Sequence, residues 1–138
     1  MDAPIGKIVT EIRAGLQADG GTWPVAVRGG RRFEGDANAT GDTIPLVIVR
    51  INSRSRNRTA DIRWRIVVAS YDQDPRMVAL LDARVSDILH NVGPRRVPAG
   101  VGVYHSIEDV GGQPGEDPDT GWSSMTSIYI VHGSAVTP

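Results

Sequence analysis

Residues 59–93, RTADIRWRIVVASYDQDPRMVALLDARVSDILHNVG, constrain the fold most. Ile62, Trp64, Ile66 and Val68 alternate with Arg63, Arg65, Val67 and Ala69, the period of two that puts alternate side chains on opposite faces of a sheet. The β-branched and aromatic residue types favour the same reading. Tyr71 to Pro75 breaks the strand. Asp74 is suited to cap a helix and Pro75 to occupy its first turn. Met77, Leu80, Leu81, Val85, Ile88 and Val92 then recur at helical spacing, which leaves Asp82 and Ser86 on the polar side. Asn91, Gly93 and Pro94 are expected to end the helix, with Gly93 as a left-handed cap. A strand with one apolar face followed by a helix with one apolar stripe is half a core, so the rest of the chain must supply the other half.

Residues 3–18 predict a second helix, with Ile5, Ile8, Val9, Ile12 and Leu16 on one face and Gly20-Gly21 as the stop. A short strand is expected from Val25 to Arg28. A long loop follows at 29–45, rich in Gly, Asp and Asn. Leu46 to Ile51 is a continuous apolar run of β-formers, as in a strand buried on both faces. Residues 52–58 read as the polar tip of a hairpin into the Ile62 strand. Arg95 to Pro98 reads as a connector and Val101 to Glu108 as a strand. The segment 111–121 reads as an acidic loop, Trp122 to His132 as the last strand, and Gly133 to Pro138 as a tail. The 138 residues make one expected domain, 1–138, of the α+β class. Its expected form is an antiparallel or mixed sheet of four to five strands with two helices packed on it.

Composition removes several function classes. The chain has no cysteine, which excludes disulfides and thiolate metal sites. The formal charge of −1 gives no global attraction to nucleic acid or acidic membranes. No apolar run approaches the ~20 residues that span a bilayer, and residues 1–13 lack the pattern of a signal peptide. His90, His105 and His132 lack metal-ligand spacing, and Asp117-Pro118-Asp119 lacks the further oxygen ligands of a calcium loop. No phosphate-cradling glycine loop or nucleophile elbow is present. The residues thus show no recognisable catalytic apparatus, metal motif or cofactor motif, although dispersed acids could still meet in three dimensions.

Charge is nevertheless segregated. Residues 50–65 carry Arg50, Arg54, Arg56, Arg58, Arg63 and Arg65 against Asp61; residues 108–119 carry Glu108, Asp109, Glu116, Asp117 and Asp119 with no base. In extended backbone Arg54, Arg56 and Arg58 share a face. Such a tip can track phosphates, meet carboxylates on another protein, or simply face water.

Three blocks resemble the tail terminator proteins of long-tailed phages, in particular those of actinobacterial hosts. They are the amphipathic N-terminal helix, DIRWRIVVASYDQD leading into PRMVALLDARVSDILHNVG, and GVYHSIEDVGGQPGEDPDTGWSSMTSIYIVHG. The resemblance spans nearly the whole chain. It implies a structural virion protein at the head-proximal end of the tail. Six copies would form a ring that caps the tail tube, stops its elongation and joins the neck or head-completion protein. DNA would pass through the lumen without specific binding, and no membrane would be involved. The family supplies no catalytic residues to carry over. Charge alone nominates Arg54, Arg56, Arg58, Glu116, Asp117 and Asp119 as contact residues between subunits or toward the tube or neck, with the lumen as a further place for the arginines. The alternatives are another head–tail joining protein and a basic-hairpin nucleic-acid-binding module.

Overall fold

The computed structural model describes residues 5–18, 25–30, 43–56, 61–90, 92–96, 102–117 and 120–135. In chain order these form α1 (Ile5–Gln17), β1 (Ala26–Gly29), β2 (Leu46–Arg56), β3 (Asp61–Asp72), α2 (Pro75–Leu89), β4 (Val92–Arg96), β5 (Gly102–Glu116) and β6 (Ser123–Ala135). The strands build one sheet in the order β1-β2-β3-β6-β5-β4. β1 runs parallel to β2, and every other pair is antiparallel. The expected α+β layer is what forms. Its mixed character comes from β1, and the short edge strand β4 brings the number of strands to six.

Both helices lie on one face of the sheet. Ile8, Val9, Ile12 and Leu16 of α1 and Leu81, Val85 and Leu89 of α2 join Val47, Val49, Ile62, Trp64, Ile66, Val68, Tyr129 and Val131 in one core. Trp64, 1% exposed, belongs to it and is among its largest fully buried side chains. Burying each large apolar side chain contributes roughly 1.5–3 kcal/mol before the entropy of ordering is subtracted. The sheet also buries apolar side chains on its other face. Ile48, Val67, Ala69 and Ile130 are buried there, which accounts for the uninterrupted apolar run of β2.

Helix α2 begins as its sequence dictates. Asp74 stays extended and its Oδ1 accepts the Arg76 N–H at 3.0 Å, while Pro75 opens the first turn. Its end and its face differ from expectation. His90 is extended at φ −75, ψ 130, and its N–H reaches Ser86 O, so the helix stops at Leu89 and leads into β4. Gly93 and Pro94 are strand residues, not helix caps. Proline fits there because β4 is an edge strand, where one N–H needs no partner. The buried stripe of α2 is Val78, Leu81, Asp82, Val85 and Leu89. Leu80 is 60% exposed, and Ile88 only flanks the core.

The ladders also extend further than composition suggests. β2 continues through Arg56 past a bulge between Ile51 and Ser53, so the assigned tip 52–58 is mostly strand. β5 continues through Gly111 to Glu116 across two irregularities, so most of the assigned loop 111–121 is strand as well. β6 likewise takes in Gly133 to Ala135, part of the assigned tail. The bulk of the 29–45 loop lies outside the described residues.

Candidate functional site

The register fixes where the nominated charges stand. Arg56 pairs with Ile62 and Arg54 with Trp64 at one end of the sheet. Glu116 pairs with Ser123, and Asp72 also pairs with Ser123, at the other end. Along β3 the stretch from Ile62 to Asp72 spans that distance, which is roughly 33 Å at strand rise. The described basic residues Arg54 and Arg56 and the acidic Glu116 therefore stand toward opposite ends of the sheet. Arg58 and Asp119 lie outside the described residues.

The bulge in β2 divides the arginines between the two faces. Arg54 stands in register with Trp64, on the helix side, and the backbone of Arg56 is in register with Ile62. Beyond the bulge Ser53 pairs with Arg65 and Ser55 with Arg63, on the side without helices among the described residues. Arg50, in register with Val67, belongs to that second side too. The described part of the arginine-rich segment is thus two surfaces rather than one.

Asp117 has a different role from its nominated neighbours. It is buried, its N–H bonds Trp122 O at 2.8 Å, and its carbonyl accepts Gly121 N–H at 2.8 Å. Its Oδ2 accepts the Thr120 hydroxyl, whose oxygen in turn accepts Trp122 N–H at 3.3 Å. Gly121, at φ 72, supplies a backbone conformation that other residues resist. Asp117 therefore closes the β5–β6 turn, and Glu116 is the exposed acid beside it.

A buried ionisable cluster lies between α2, β5 and β6, and the sequence reading placed its main member on the surface. Asp82 is 8% exposed and accepts the Ser127 hydroxyl at 2.7 Å. Its second oxygen lies against Gly112, where an added Cβ would come within 3.1 Å of it. Burial raises the Asp82 carboxyl above its usual value of 3.8; the Ser127 hydrogen bond opposes that shift and the charge of Glu108 adds to it. Tyr129, buried beside this group, is pushed up by burial and then by the charges of Asp82 and Glu108. The signal available in sequence was helical spacing: Asp82 is one step from Leu81 and three from Val85. His90 is committed nearby, its Nδ1 accepting Glu108 N–H at 3.0 Å.

Among the described residues no group of three metal-ligating side chains converges, and no helix is long and apolar enough to cross a membrane. No protein-family model and no curated protein matches the chain.

Proposed function

We propose that the chain is a structural virion protein, a phage tail terminator. Six copies close into a ring that caps the tail tube, stops its elongation and offers a surface to the neck or head-completion protein. The proposal rests on the sequence resemblance and on one geometric observation. A ring built from identical subunits needs two different patches on each subunit, one meeting the other on the next copy. Here the basic end of the β2–β3 hairpin and the acidic end of the β5–β6 hairpin stand at opposite ends of one sheet. They are complementary, and the distance between them prevents them from neutralising each other within the subunit. The helix-backed sheet suits the role because it can hold both ends in fixed relation. DNA passes through the lumen in this reading, and the protein performs no chemistry.

Electron microscopy of the purified protein and of assembling tails tests the proposal. Six-fold rings at the head-proximal end of the tube are the expected result. Rings at another joint would identify a different head–tail joining protein. A protein that remains monomeric with tube subunits present, while tails of normal length form without it, would overturn the reading.

A further inference from the structure

We propose that the face of the sheet without described helices carries a binding cleft for a phosphate-type oxyanion, independent of any ring contact. The cleft lies at the basic end and is lined by Ser53, Ser55, Arg63, Arg65, Asp109 and Ile130. Its donors come from adjacent strands in direct register. Ser53 stands opposite Arg65, and Ser55 opposite Arg63. Directly opposed residues have Cβ atoms about 4.5–5.5 Å apart. Two hydroxyls and two guanidiniums are therefore within reach of one small tetrahedral anion. Arginine suits such a ligand because its planar donors match two oxygens at once.

Arg65 gives the second observation. Its Nε is buried and donates to no acceptor among the described residues. Its Nη2 meets Asp109 at 3.4 Å, and both side chains are about two-fifths exposed (41% and 42%). An ion pair that open to solvent holds weakly. Asp109 thus acts as a loosely bound internal competitor for the guanidinium, and an incoming oxyanion can take its place. A buried donor left without an acceptor is costly, so a ligand oxygen that reaches Arg65 Nε gains more than it would on an open arginine. The bulge beside Asn52 creates the site. With regular alternation through Asn52, residues Asn52, Arg54 and Arg56, rather than Ser53 and Ser55, would share this face with Arg63 and Arg65. Serines there leave room between the guanidiniums where two further arginines would fill and repel.

Calorimetric titration of the intact protein at low ionic strength tests the site, with inorganic phosphate, pyrophosphate and a short single-stranded oligonucleotide as three separate probes. Saturable binding of at least one probe at one site per chain is expected. Arg63→Gln should weaken it about tenfold, and Ser55→Ala several-fold. Asp109→Asn should tighten it, because the competitor is neutralised. Arg76→Gln removes a 92% exposed guanidinium on the helix layer and should change nothing. Melting curves of each variant verify that it folds. Binding of phosphate or pyrophosphate with this ranking identifies a free oxyanion as ligand. Binding of the oligonucleotide alone, with the same ranking, identifies the phosphodiester backbone. No saturable binding of any probe overturns the proposal. So does equal loss with Arg76→Gln and Arg63→Gln, which reports only general attraction, or an Asp109→Asn variant that binds more weakly.

Discussion

Ser127 donates its hydroxyl hydrogen to Asp82 Oδ1 at 2.7 Å, tying the buried side of α2 to the middle of β6. Both residues are buried, so each depends on the other for a polar partner. Asp82→Ala leaves the Ser127 hydroxyl without its acceptor, whereas Asp82→Asn keeps an oxygen in that place. The Ala variant should therefore be less stable than the Asn variant by about 1–3 kcal/mol, measured by urea unfolding at pH 7. Equal stability of the two would show that the hydrogen bond contributes nothing.

The same carboxyl makes stability depend on pH in an unusual direction. Its folded-state value is raised above the ordinary 3.8, so the folded chain binds this proton more tightly than the unfolded chain does. Above the raised value the buried charge works against folding. As pH falls through that value toward the ordinary one, the penalty is lifted. Asp82→Asn never carries it. The Asn variant should melt at or above the parent at pH 7, and its advantage should shrink on acidification. Comparing the two proteins at each pH cancels the other carboxylates. An advantage that grows on acidification would contradict the assigned shift.

At Gly15, α1 packs against Ile88 of α2. A Cβ placed there would lie 2.5 Å from Ile88 Cδ1 and 2.6 Å from Ile88 Cγ1. Alanine improves helix propensity by up to about 1 kcal/mol, but overpacking costs about 1–3 kcal/mol. Gly15→Ala should therefore be destabilising overall. Ile88→Ala made in that background should cost less than Ile88→Ala alone, a coupling that a double-mutant cycle reads directly.

The face of α2 separates two adjacent leucines. Leu81 is fully buried and Leu80 is 60% exposed. Leu81→Asp places an unpaired charge in the core and should unfold the domain, whereas Leu80→Asp should shift the melting midpoint only slightly. Similar loss from both would mean that α2 presents a different face to the sheet.

Much of this fold is written locally. The alternation from Ile62 to Val68 gives β3, and Asp74-Pro75 gives the start of α2, because strand period and helix capping are decided by near neighbours. What the sequence hid depends on distant partners. Gly93-Pro94 looks like a helix stop, yet it lies inside edge strand β4, in the irregularity between the paired residues Val92 and Arg95, because β5 lies alongside. The Gly- and Pro-rich 111–115 stretch looks like a loop, yet β6 draws it into a bulged ladder. Asp82 looks solvent-facing until Ser127, 45 residues away, supplies its hydrogen bond. Of the nominated site, the sequence marked the basic and acidic segments. It did not reveal that a bulge at Asn52 splits the arginines between two faces, or that Asp117 is spent on its own turn.

The ring contact can be tested by charge reversal, with the roles of the acids revised accordingly. Suppose Arg54, Arg56 and Arg58 of one subunit meet Glu116 and Asp119 of the next. An exposed pair contributes only about 0.2–1 kcal/mol. The contact repeats at every interface of a closed ring, and like charges disfavour reversed docking. Changing the three arginines to Glu should block ring formation while leaving the melting curve close to that of the parent. Adding Glu116→Arg and Asp119→Arg in the same chain should restore rings in part. Asp117 is left unchanged in this test, because Asp117→Arg would open the turn through loss of the Thr120 bond and lower stability by itself. Restored rings would support the end-to-end contact. Rings that survive the arginine reversal, with tail completion lost, would place the basic end against the tube or neck instead.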